Sequence, residues 1–124
     1  MNKICTSIEQ SQKLIKLGID VNTADMCYDW SVIGKEYSTV AQCRKYIDDE
    51  LPAWSLSALL NYLREVDYFP EINADEFEVT MQINYYNEDE ARPLAPVHNI
   101  KVKAESFIDA CYEIIITLNE LKLL

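Results

Sequence analysis

Between Phe77 and Tyr86 the side chains alternate without a break. Phe77, Val79, Met81, Ile83 and Tyr85 fall on one side; Glu78, Thr80, Gln82, Asn84 and Tyr86 fall on the other. A period of two over this length is the pattern of a strand with one buried face. Such a strand needs hydrogen-bonded neighbours and an apolar cover. Ile100 and Val102, alternating with Lys101 and Lys103, supply a returning strand. The intervening stretch 87–96 carries Glu88-Asp89-Glu90 and two prolines and reads as an exposed loop.

The covers are helices. Thr6 with Glu9, or Ser7 with Gln10 one residue later, forms a capping box ahead of Ile8, Leu14 and Ile15. Gly18 is placed to end that helix in a left-handed conformation, with Ile19 folding back on Leu14. A second helix is expected over Pro52–Val66, with Leu56, Leu59, Leu60 and Leu63 on one face. Either Ser55 caps it or Pro52 occupies its first turn. A third begins near Ser106, with Asp109 in its first turn and Ile108, Cys111, Ile115 and Leu118 on one face.

Met26, Tyr28, Trp30 and Val32 alternate with Cys27, Asp29 and Ser31, which predicts another half-buried strand. Gly34-Lys35 reads as a turn into a short strand over 36–40, residues 41–50 carry no clear pattern, and 67–74 reads as an extended connector. The order predicts an α+β fold: one domain over residues 1–124, with a mainly antiparallel sheet of three to four strands packed against two or three helices.

The chain has 11 basic and 21 acidic residues, a formal net charge of −10. That balance argues against direct nucleic-acid binding and against anionic membrane surfaces. It leaves open a basic protein partner, including one recognised by nucleic-acid mimicry. No secretory signal is apparent in the first residues, so a cytoplasmic location with reduced thiols is expected.

Catalytic chemistry finds little footing. The four cysteines (Cys5, Cys27, Cys43 and Cys111) include no closely spaced pair of the kind structural zinc sites use, so no metal or other cofactor is expected. Two glycines cannot build a phosphate-cradling loop, and no serine elbow is present. An enzyme would have to pair Cys111 with the single histidine, His98. Asp48-Asp49-Glu50 reads as a solvated turn, and Trp54 as a core anchor. Tyr86, beside Glu88, Asp89 and Glu90, forms the candidate partner-binding rim, since aromatic residues next to charge are common interface anchors. The leucine-rich end, Leu118–Leu124, could pair two copies into a homodimer.

Three stretches resemble a family of small uncharacterised proteins from gut bacteria and their prophages or mobile elements. They are residues 7–18 (SIEQSQKLIKLG) leading to Thr23-Ala24-Asp25-Met26, residues 52–60 (PAWSLSALL), and residues 109–114 (DACYEI) with the leucine-rich tail. The resemblance implies no activity, cofactor or catalytic residue. Together with the charge, it favours a non-catalytic accessory protein acting through protein contacts.

Overall fold

The computed structural model describes residues 3–75, 78–85 and 98–124, with the side chains of 85 and 98 excepted. The fold is α+β, with three α-helices and two antiparallel three-stranded sheets among the described residues. The chain divides into two compact units, Met1–Tyr62 and Leu63–Leu124.

In the first unit, α1 (Ile8–Lys16) starts on the Ser7 capping box: Ser7 Oγ accepts from the Gln10 amide at 3.1 Å, and Gln10 Oε1 accepts from the Ser7 amide at 3.0 Å. Thr6, the other candidate cap, is buried instead. Its hydroxyl lies 2.8 Å from Ser11 Oγ and accepts from the Trp54 amide at 3.1 Å. Strands β1 (Met26–Ser31), β2 (Glu36–Gln42) and β3 (Leu51–Ala53) follow, in spatial order β2-β1-β3. Met26, Tyr28, Leu51 and Ala53 form the core face, with Cys5 buried among them and Ile8, Ile15, Tyr37 and Ala41 packed around it.

β3 corrects part of the sequence reading. Pro52 belongs to this strand and not to a helix; β3 is an edge, where a missing amide is tolerated. Helix α2 (Leu56–Glu65) begins only after it, with Ser55 Oγ accepting from the Ala58 amide at 3.2 Å. Asp25 holds that cap in place through both the amide and the hydroxyl of Ser55. Trp54 is fully buried, its indole N–H donating to Thr23 Oγ1 at 2.9 Å. The boundary between the units falls inside α2.

In the second unit, β4 (Glu71–Ala74), β5 (Val79–Tyr85) and β6 (His98–Ala104) form the other sheet, in the order β4-β5-β6. The alternating stretch is its central strand. Met81 opposes Val102 and Ile83 opposes Ile100, on the face that α3 (Phe107–Glu120) covers. Thr80 and Gln82 oppose Lys103 and Lys101 on the polar face. The stretch read as a connector contains β4, an exposed edge strand. The antiparallel strands are those expected, but among the described residues six strands in two sheets replace the single sheet of three to four. Ser106 caps α3, accepting from the Asp109 amide at 3.1 Å.

Candidate functional site

Cys27 and Asp29 share the face of β1 opposite Met26 and Tyr28, as period two requires. The alternation leaves that face open to solvent, yet Cys27 is 0% exposed. Glu50 and Arg44 explain the difference, because their side chains gather over it. Glu50, directly before β3, turns inward, and Arg44, just beyond β2, reaches across to it.

Arg44 makes the connections. Nη1 donates to Glu50 Oε1 at 2.7 Å and to the Lys45 carbonyl at 3.1 Å. Nη2 donates to Glu50 Oε2 and, at 2.9 Å, to Asp29 Oδ1. Nε donates to Gln42 Oε1 at 3.1 Å, so five hydrogen bonds match the five N–H groups of a guanidinium. Gln42 in turn donates to Asp29 Oδ2. Glu50 Oε1 also accepts from the Ile47 amide at 2.7 Å, closing a turn in which Asp49 adopts a positive φ of 71°. Asp48 and Asp49 are therefore the solvated turn the sequence suggests, whereas Glu50 is not.

The electrostatics follow from these contacts. The Arg44 fork, with the hydrogen bond from Asp29, holds the Glu50 carboxyl down to about 2. That same hydrogen bond to charged Glu50, then burial, pushes the Asp29 carboxyl up. Burial first, and then the Glu50 charge, raises the Cys27 thiol, so it is protonated near neutrality. Cys27 Sγ lies 4.0 Å from Glu50 Oε2. One ligand atom from each of Cys27, Asp29 and Glu50 fits within 4.8 Å of the others, and among the described residues this is the one trio of its kind. Arranged this way, the cluster clamps residues 43–50 onto the sheet and offers a donor set of one thiol and two carboxylates. Only the shared face of Cys27 and Asp29 was legible in the sequence; Arg44 and Glu50 lie in the stretch without a pattern.

A second feature lies at the far end of the same two strands. Trp30 and Tyr37 oppose each other in the register and meet edge to face, with ring centroids 4.8 Å apart. Beyond them the turn carries Val32, 80% exposed, and Ile33, 98% exposed, followed by exposed Lys35. The expected burial of Trp30 and Val32 is thus not observed: β1 outruns the core, and its last residues project past it.

The residues singled out in the sequence fall elsewhere. Tyr86, Glu88, Asp89 and Glu90 lie outside the described residues. His98 pairs with Tyr85 in the backbone register, and its side chain likewise lies outside them. Cys111 is fully buried in the apolar layer of α3, and burial pushes its thiol up to about 12. Those are the surroundings of a small hydrophobe, not of an activated nucleophile. At the chain end Leu118 is buried, while Leu121 and Leu124 are exposed.

Comparison with known proteins finds no matching family model, no matching curated protein and no matching solved structure.

Proposed function

We propose that the protein is a non-catalytic interaction protein, and that the tip of the β1–β2 hairpin is what it presents to another protein. The observation that carries this reading is the exposure of Trp30 near the end of β1 and of Val32 and Ile33 in the turn that follows it. Large apolar side chains in water cost free energy and are kept contiguous where a partner covers them. Trp30, braced by Tyr37, supplies the rigid aromatic anchor that dominates many interfaces. Exposed Lys35 and Glu36 adjoin the turn with opposite charges, so the complementary surface is an apolar cleft with a polar rim. The rim of Tyr86, Glu88, Asp89 and Glu90 would be a separate contact, for a basic partner. All four cysteines are free, which accords with the proposed cytoplasmic location.

A photo-crosslinking side chain at position 33, compared with one at exposed Glu65, tests the reading in cells that express the protein naturally. The expected result is a discrete protein adduct from position 33 that Trp30→Ala and Val32→Asp abolish. Identical adducts from both positions, or crosslinks to lipid instead of protein, would overturn it.

A further inference from the structure

We propose that Cys27, Asp29 and Glu50 form a binding site for a thiophilic divalent cation of the Zn2+ type, with Arg44 as the internal cation that the metal replaces. The donor types suit this ion: Zn2+ takes thiolate and carboxylate oxygen, at about 2.3 and 2.0–2.2 Å respectively. The three ligand atoms lie within 4.8 Å of one another. Closing them onto one ion takes side-chain movements of about 1 Å, since ligands at those bond lengths stand roughly 3.5 Å apart around a tetrahedron.

Cys27 points independently to the same place. It is completely buried, and its one hydrogen-bond partner among the described residues is Glu50 Oε2, at the 4.0 Å limit for sulfur. The thiol is thus buried beside the Glu50 carboxylate, where its sulfur can serve as the third ligand. The ligands also come from two separate parts of the chain, β1 and the residue before β3, so the sheet and not a short sequence motif aligns them.

Arg44 gives the ion its way in. Its side chain is 40% exposed and lies on the solvent side of Glu50, which is 8% exposed, while Asp29 at 42% already meets solvent. The guanidinium can swing into water without unpacking the core, leaving an open position for a water ligand. In the binding step the Cys27 S–H bond breaks, its electron pair forms the bond from sulfur to the metal, and the proton leaves to solvent. No electrons are transferred. Three anionic ligands then face a dication, and the displaced Arg44 guanidinium is solvated by water.

The test is titration of the full-length, fully reduced protein with Co2+ as a spectroscopic stand-in, followed by Zn2+. The expected result is a thiolate-to-cobalt charge-transfer band that saturates at one equivalent, is lost on adding Zn2+ and accompanies proton release. Cys27→Ser should abolish the band and Cys43→Ser should leave it intact. Asp29→Asn should keep the band but weaken binding, and Arg44→Gln should tighten it, each by about tenfold, the scale on which neighbouring groups tune metal affinity. Should Cys27→Ser fail to fold, the opposite shifts of the Asp29 and Arg44 variants decide. No band with the wild type, a band that survives Cys27→Ser, or one that depends on Cys43 would overturn the proposal. The hairpin-tip reading is untouched by any of these outcomes.

Discussion

Each of the three helices ends on a residue with positive φ: Gly18 at 88°, Asp67 at 66° and Lys122 at 59°. Behind each, the next amide bonds back over the last turn: Ile19 to the Leu14 carbonyl, Tyr68 to that of Leu63, and Leu123 to that of Leu118. This is the Schellman closure, and glycine is its cheapest residue. The sequence signals it at Gly18 alone, because the other two stops use residues that ordinarily avoid this conformation. A left-handed residue with a Cβ costs about 1–2 kcal/mol, partly offset by the extra chain entropy glycine loses on folding. Gly18→Ala should therefore destabilise by about 1 kcal/mol despite open space around the position, and Lys122→Gly should stabilise by roughly 0.5 kcal/mol in chemical denaturation.

Glu50 carries the residue-scale pH dependence. Its carboxyl is held at about 2 in the fold, below the usual glutamate value, so its contribution is fully present above about pH 4.5 and is lost as the pH falls toward 2. Asp29 runs the other way. Its raised carboxyl favours the fold at low pH, and that contribution fades as the pH rises through its folded value. Glu50→Gln should flatten the acid limb of a denaturant-midpoint profile between pH 4.5 and 2, an outcome that a merely solvated Glu50 would not produce.

At the scale of elements, β1 shows how far a hydrophobic pattern carries. Its alternation correctly separates Met26 and Tyr28 from Cys27 and Asp29. The pattern is blind to two things: Glu50 and Arg44 cover the second face, and the strand runs past its own core. A bulge in the β1–β2 pairing between Tyr28 and Trp30 marks that transition. Beyond it the Trp30 and Tyr37 rings meet edge to face across the strand pair. A double-mutant cycle to alanine should give a coupling of about 0.5–1.5 kcal/mol, the usual worth of an edge-to-face pair. Ile33→Asp, at a side chain touching little but water, should stay within about 0.5 kcal/mol of wild type. Ile115→Ala, in the buried face of α3, should cost about 2–5 kcal/mol.

At the scale of the whole molecule, a net charge of −10 on 124 residues sets a background of self-repulsion. Of the ion pairs, Arg44–Asp29 and Lys103–Glu78 lie partly in solvent, where each contributes little, which leaves Arg44–Glu50 as the one shielded pair among those described. Repulsion should outweigh them. The melting temperature at pH 7 should rise as salt approaches about 1 M, where screening shortens to about 3 Å. A fall would mean that the ion pairs dominate.

By itself the sequence determined the class of fold, the side-chain alternation of β1 over Met26–Asp29 and of β5, the Ser7, Ser55 and Ser106 caps as candidates, and the apolar stripes of the helices. These depend on periodicity and on groups a few residues apart, which one stretch of chain contains whole. Tertiary structure decided how many sheets the strands form, that Pro52 belongs to an edge strand, and that Glu50 turns inward to meet Arg44, Asp29 and Cys27. Those outcomes depend on pairing across distant positions, where backbone hydrogen bonds and a shared guanidinium choose among partners that local pattern leaves equivalent. The candidate metal site belongs wholly to this second kind, because its ligands are neighbours only once β1 and β3 are hydrogen-bonded side by side.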